Sequence, residues 1–241
     1  MPASTIKDSL RILSSEITDC DRCPRLRGHC QTVARDKRRA YADWDYWGKP
    51  VGGFGDARAR IWIVGLAPAA HGANRTGRVF TGDRSGDFLF AALHRLGLAN
   101  QPQSVNRQDG LKLKKAYVSS AVRCAPPGNK PTPAEIANCS EYLDREWHLL
   151  SDVRVMFALG KIGWDAAAAL ARRHGCDFPD GRRPFGHGAE MRLSDRRWLI
   201  GSYHVSQQNT FTGKLTPAMF DAVLRRALQR ESSGGSKNAA R

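Results

Sequence analysis

Two kinds of residue in this chain have the type and spacing to do chemistry. Cys20 and Cys23 form a C-x2-C pair in a polar, basic stretch, the spacing at which two thiolates on one tight turn grip a metal ion or one corner of a cluster. Possible partners are Cys30, Cys124 and Cys139, the last two separated by fourteen residues, and Cys176, which stands alone behind a helix-like segment. By spacing alone a structural zinc, an iron-sulfur cluster, a redox pair and isolated core thiols all stay open. The second kind lies in loops. Asp83, between Gly82 and Arg84 at the start of a helical pattern, can cap backbone donors or position water. His204 directly follows an apolar run and precedes Ser206, Gln207, Gln208 and Asn209. An imidazole there can donate to an anion developing on a leaving group, or be a surface histidine. His71 carries a weaker version of the same argument, and Phe80 would ordinarily be core.

Composition says what such groups would act on. The 241 residues carry 38 Lys+Arg against 23 Asp+Glu, a net charge of +15 and a pI of about 10.1. Excess positive charge points to phosphate polyanions, DNA or RNA, with solubilising arginines as the plainer alternative. The hydrophobic share of 41% suffices for a packed core and excludes wholesale disorder. With no apolar run of about 18 residues and no leader pattern at MPASTIKDSL, a soluble intracellular protein is expected. Six cysteines in that setting argue against a disulfide framework. No G-x-x-x-x-G-K-[ST] or G-x-G-x-x-G string occurs, which sets aside nucleoside triphosphates and dinucleotides.

These groups need a frame, and the hydrophobic pattern supplies one. Apolar, β-rich runs at about 59–66, 116–122, 153–159 and 197–203 predict buried strands. Helices are predicted near 85–97, 133–150, 161–174 and 217–230. Thr132-Pro133-Ala134-Glu135 reads as a capping box, Thr216-Pro217 repeats the entry, and Gly97 and Gly175 fit helix stops. Alternating strands and helices predict a three-layer α/β/α fold around a central four-stranded parallel sheet. One domain is expected over residues 1–230. It includes a helix over Ser4–Glu16, the cysteine pair and the aromatic stretch DWDYWGKPVGGFGD, with a disordered tail over 231–241. Ligands of such sheets lie at the strand carboxyl ends, where the loops GLAPAAHGANRTGRVFTGDRSG, RCAPPGNKPTP and HVSQQNTFTGKLT fall. The small residues Gly65, Ala67, Ala69 and Ala70 let backbone approach a ligand closely.

Taken together, GLAPAAHGANRTGRVFTGDRSGDFL, GSYHVSQQNTFTGKLT, YWGKPVGGFGDARARIWIVGLAP and AVRCAPPGNKPTPAEIANC resemble the uracil-DNA glycosylase superfamily. Within it they resemble the type 5 (UDGb) class of prokaryotic iron-sulfur enzymes, over roughly residues 18–228. The resemblance implies a monofunctional glycosylase that flips a deaminated base out of DNA and hydrolyses its N-glycosidic bond, leaving an abasic site. It implies a [4Fe-4S] cluster on Cys20, Cys23, Cys124 and Cys139, with Cys30 and Cys176 spare. Phe80 would stack on the base, Gly65, Ala67, Ala69 and Ser120 would line its pocket, and His204 would hydrogen-bond uracil O2. Asp83, ionised, would position the attacking water. The loop Val205–Gly213 would wedge into DNA, with Gln207, Asn209 and Lys214 touching the strand. Two departures from other members stand out. Leu66 and Ala67 are apolar where other types place a polar water-activating residue, which moves that burden to Asp83. Ser119-Ser120 stands where strict uracil readers have an Asn, which implies tolerance of hypoxanthine or 5-hydroxymethyluracil. Expected partners are double- and single-stranded DNA, acted on by a monomer in the prokaryotic cytoplasm at the nucleoid. The rival reading is a non-catalytic iron-sulfur or zinc nucleic-acid-binding protein.

Overall fold

A computed structural model describes residues 8–233. The chain opens with helices α1 (Leu10–Thr18) and α2 (Pro24–Asp36), then β1 (Phe54–Gly55), β2 (Ile61–Gly65), α3 (Ala73–Thr76), α4 (Arg84–Arg95) and β3 (Ala116–Ser120). It continues through α5 (Pro133–Leu149), β4 (Val155–Leu159), α6 (Gly160–Arg173), β5 (Glu190–Arg192), β6 (Trp198–Ser202), α7 (Gln207–Phe211) and α8 (Pro217–Ser233). The sheet order is β1-β3-β2-β4-β6-β5.

Strands β3, β2, β4 and β6 are mutually parallel, five residues each and almost wholly buried, which explains their continuous apolar sequence. Their register pairs Gly65 with Ser120 and Leu159 with Ser202, so all four strands deliver their following loops to one rim. Side chains alternate between two cores. Ile61, Ile63, Val118, Phe157 and Ile200 pack under Leu89, Phe90, Phe220 and Leu224 of α4 and α8. Trp62, Val64, Met156 and Leu199 pack under Leu143, Trp147, Trp164 and Ala168 of α5 and α6. This is the expected three-layer arrangement. Two antiparallel edge strands, β1 and β5, widen the sheet to six; at two and three residues they are too short to carry a periodic signal.

Three boundaries differ from expectation. Helix α1 starts behind Ser9, whose hydroxyl caps the Ile12 N–H, and runs to Thr18; residues 4–7 of the expected helix lie outside the described residues. Helix α2 had no forecast, because only Leu26 and Cys30 of its thirteen residues are buried and no apolar stripe marks it. The expected tail begins too early: α8 continues through Ser233, with the hydroxyls of Ser232 and Ser233 folded onto carbonyls one turn back, and positions 234–241 lie outside the described residues. The capping box of α5 forms as read. Among the described residues no helix is long and apolar enough to cross a membrane.

Candidate active site and cysteine cage

The rim above β2, β4 and β6 holds an aromatic ring against bare backbone. Phe80 is buried and sits with φ +51°, a strained conformation for a residue with a large side chain. A β-carbon at Gly65 would stand 2.7 Å from its Cζ, so the ring lies directly on the end of β2 and only glycine fits beneath it. His204, two residues beyond β6, brings its ring centroid within 6.2 Å of Phe80. Gly160, at φ +81°, lets His204 settle over the start of α6; a β-carbon there would come within 3.2 Å of His204 Cβ. Burial alone draws the imidazole down to about 4, so at neutral pH it is uncharged, with one N–H to donate. Asn209 of α7 donates its amide to the His204 carbonyl at 2.8 Å and holds that segment. This is an intramolecular duty for a residue expected to touch DNA.

Asp83 is both a cap and more than a cap. Its Oδ1 accepts the Gly86 N–H at 3.0 Å, closing the first turn of α4. Its other oxygen lies over the Cα of Gly72, where any β-carbon would overlap it. One oxygen is thus committed to the helix and the other is free to hold water. Burial pushes this carboxyl above the ordinary range, opposed by the Gly86 and Ser85 N–H groups and by Arg75, so its ionised form is held at a cost. Alanine at Gly72 would put its β-carbon where the Asp83 carboxylate lies and so displace it. Gly72→Ala is expected to lower single-turnover base excision by at least about 100-fold, roughly the worth of a positioned general base. Its far-ultraviolet circular dichroism should match wild type.

The remaining predicted residues divide by face. Ser120 shares the Gly65 face and donates to the Val122 carbonyl at 2.8 Å. Ser119 points the other way, accepting from Trp62 Nε1 at 2.8 Å and donating to Glu146 at 2.9 Å. Gln207 and Lys214 are exposed, the latter with its ammonium 5.0 Å from the Tyr203 ring centre. Ala67 and Ala70 pack their methyls against the cysteines, and Ala69 holds Asn74 and Gly72 through its carbonyl. His71 accepts or donates at Nδ1 with the Tyr46 hydroxyl, 3.0 Å away. A cavity of about 610 Å³ lies elsewhere, between the start of α1 and the edge strand β1.

Five thiols, not four, meet beside the rim. Cys23 at the head of α2, Cys30 within it, Cys124 after β3 and Cys139 on α5 share one buried cluster, with Cys20 at its border against α1 and Tyr142. All are free. Arg25 to Glu135 and Arg22 to Glu141 fasten the cysteine segment to α5. Cys30 lies in hydrogen-bonding contact with Cys124, which pushes the Cys124 thiol up and draws its own down. Cys30, expected as spare, packs beside the other thiols, whereas Cys176 sits apart in the core under α6. Arg123, beside Cys124 in sequence and 1% exposed, pairs with Glu146 but leaves Nε and Nη1 without a partner. Its cation favours the Cys139 thiolate against burial. Soft donors gathered beside a buried guanidinium with two unpartnered nitrogens fit an anionic, thiolate-bound group. Among the described residues no three His, Cys, Asp or Glu side chains close on a single ion.

The description "Uracil DNA glycosylase superfamily" belongs to the family profile that matches residues 53–228, which contain the whole rim. The chain belongs to the uracil-DNA glycosylase superfamily. It is 54% identical over 216 residues to a type-5 uracil-DNA glycosylase of Mycobacterium tuberculosis, covering 89% of this chain and 79% of that protein. The type-5 enzymes of Thermus thermophilus and Pyrobaculum aerophilum are 49% and 44% identical, each over 88% of this chain and over 93% and 89% of their own lengths. As a superfamily member the chain has the α/β architecture that its sheet and helices show, and the likeness is to the type-5 class that the sequence motifs resemble.

Sequence reasoning missed Gly72, Gly160 and Arg75, whose importance is visible only once their neighbours are known. Gly72 carried a faint signal, as a glycine within the first motif loop, and Gly160 as one directly after an apolar run.

Proposed function

We propose that this protein is a monofunctional uracil-DNA glycosylase, which hydrolyses the bond between uracil N1 and deoxyribose C1′ and leaves an abasic site. The observation that carries the reading is the Phe80 face held on the Gly65 backbone beside an uncharged His204, with Asp83 three residues further along the same loop. A base turned out of the duplex stacks on Phe80. As the C1′–N1 bond breaks, its electron pair moves into the uracil ring, and the His204 N–H donates to O2, where the charge collects. Water held by the free oxygen of Asp83 attacks C1′ and gives its proton to that carboxylate. The new C1′–O bond completes the abasic sugar.

Around this centre the net charge of +15 favours the phosphate backbone, in double- and single-stranded DNA alike. Phe211, at the end of α7 and 73% exposed, is the apolar wedge for the space the base leaves, with Gln207 and Lys214 beside it. The short Ser120 hydroxyl, committed to Val122, filters base edges weakly, so hypoxanthine and 5-hydroxymethyluracil are accepted more slowly than uracil. The protein acts as a monomer in the prokaryotic cytoplasm.

Cys20, Cys23, Cys124 and Cys139 would hold a [4Fe-4S] cluster, which supplies a staple between the N-terminal segment and the elements after β3 rather than a step of the reaction. Cys124→Ser is expected to lose iron and sulfide and to drop unfolding stability by several kcal/mol, on the order of a lost structural metal. Zinc without iron in the purified protein would refute that cofactor. Oligonucleotides bearing one uracil, hypoxanthine or 5-hydroxymethyluracil, treated with protein and then alkali, test the activity. Cleavage at uracil supports the proposal, and binding without alkali-labile sites would favour the non-catalytic reading.

A further inference from the structure

The aromatic stretch before β1 has no place in the reaction as written, yet it closes around one side chain of the catalytic loop. The Arg75 guanidinium carbon lies 3.9 Å from the Tyr41 ring centre and 4.0 Å from that of Trp44. Arg75 is 3% exposed. Its Nε donates to the His71 carbonyl at 2.8 Å and its Nη2 to the Gly82 carbonyl at 2.6 Å, bridging the two ends of the loop that carries Phe80. Backbone bonds from the same stretch fix the arginine from behind: the Trp47 N–H donates to the Arg75 carbonyl at 2.9 Å and the Gly48 N–H to that of Asn74 at 3.0 Å. Asn74 in turn reaches the Cys30 carbonyl at 3.3 Å.

The Gly82 carbonyl belongs to the peptide unit that enters Asp83. Fixing that oxygen fixes the peptide plane immediately before the Asp83 α-carbon, and with it where the carboxylate lands over Gly72. Gly82 sits at φ +79°, and a β-carbon there would stand 2.6 Å from Arg75 Nη2, so the contact requires glycine as well as arginine. Only a planar fork can fill the slot between two rings while reaching two carbonyls; an ammonium is a point donor.

We propose that Arg75 is a positioning residue for Asp83, locked in its working geometry by the Tyr41 and Trp44 rings of the N-terminal segment. The inference rests on the role given to Asp83 above. It also gives the N-terminal segment a function in the reaction, since α2, through the Cys30 carbonyl, and the aromatic stretch, through Trp47 and Gly48, both hold the loop Asn74–Asp83.

The test uses the cluster-bearing full chain. Single-turnover excision from a uracil duplex, affinity for a duplex carrying non-hydrolysable 2′-fluoro-deoxyuridine, and Tm are measured for Arg75→Lys, for Tyr41→Leu/Trp44→Leu, and for all three changes combined. Arg75→Lys is expected to slow excision 10- to 100-fold with DNA affinity within about threefold of wild type. Tyr41→Leu/Trp44→Leu should slow it in the same direction, and the combination should lose little more than Arg75→Lys alone, because the groups act through one contact. A lysine variant within threefold of the wild-type rate would overturn the proposal, as would a loss accounted for by DNA affinity or fully additive losses. If Arg75→Lys does not fold, Tyr41→Leu/Trp44→Leu decides by the same rate criterion. Asp83→Asn, run alongside, separates the two readings. An active Asp83→Asn refutes the role of Asp83 itself, whereas an inactive Asp83→Asn with an unimpaired Arg75→Lys refutes only the positioning.

Discussion

Asp83→Asn is expected to keep the fold and to lose about 100- to 10,000-fold in single-turnover uracil excision, the range for removing a positioned general base. Asparagine caps helices as well as aspartate does, so its side-chain oxygen still accepts the Gly86 N–H and α4 keeps its first turn. What disappears is the charge on the oxygen above Gly72. The stability consequence runs opposite to the activity. Burial raises the folded-state carboxyl above its unfolded value, so the native state binds the proton more tightly. The associated stability is present below the unfolded value near 3.8 and is lost as pH rises through the folded one. At pH 7 the wild type therefore carries a buried carboxylate at a cost, and the uncharged asparagine removes it. The Tm of Asp83→Asn at pH 7 is expected to equal or exceed that of wild type, by calorimetry, while its excision rate collapses. A variant that loses activity and Tm together would make the cap, not the charge, responsible.

His204→Ala is expected to cost about 100- to 1,000-fold, the worth of a donor aimed at developing negative charge. The loss should fall on the rate of bond cleavage rather than on DNA affinity, because the charge on O2 grows only as the bond breaks. The same residue sets a pH dependence of stability. Burial holds the imidazole at about 4 in the folded chain against 6.5 unfolded, so the fold loses stability as pH falls from about 6.5 toward 4. The full difference amounts to roughly 3 kcal/mol, at 1.36 kcal/mol per pKa unit. Urea unfolding of wild type at pH 7 and pH 4.5 should show that loss, and His204→Ala should show much less of it. Equal pH dependence in the two proteins would place the effect on other groups.

The four central strands and the four large helices that cover them are legible because burial on both faces leaves continuous apolar runs and one-sided stripes. The capping box at Thr132 is legible because it is a local hydrogen-bond code. Helix α2 is not, since it is held by cysteines and by Arg25 and Arg22 reaching α5 more than one hundred residues away, a signal with no period. The site shows the same division. Phe80, Asp83 and His204 stand out as chemistry at strand ends, but the conditions that make them work are spatial. Gly65 is legible as a position of close approach, but Gly72 beneath Asp83 and Gly160 beneath His204 look like any other glycines until a carboxylate or a ring occupies the vacant side. Arg75 reads as one more basic residue in a chain of net charge +15, because the rings that enclose it lie about thirty residues upstream. Spacing leaves Cys30 open as a partner and the resemblance makes it spare; that α2 turns it toward Cys124 shows only in space.

The most direct test follows the leaving group. Wild-type protein is incubated with a duplex holding one uracil labelled in the ring, and the small-molecule fraction is analysed by mass spectrometry. Free labelled uracil in an amount equal to the abasic sites formed is the predicted result, with no strand break before alkali. Labelled uracil retained entirely in the oligonucleotide, in protein that binds the duplex, would contradict the assignment of Phe80, Asp83 and His204 as an excision site.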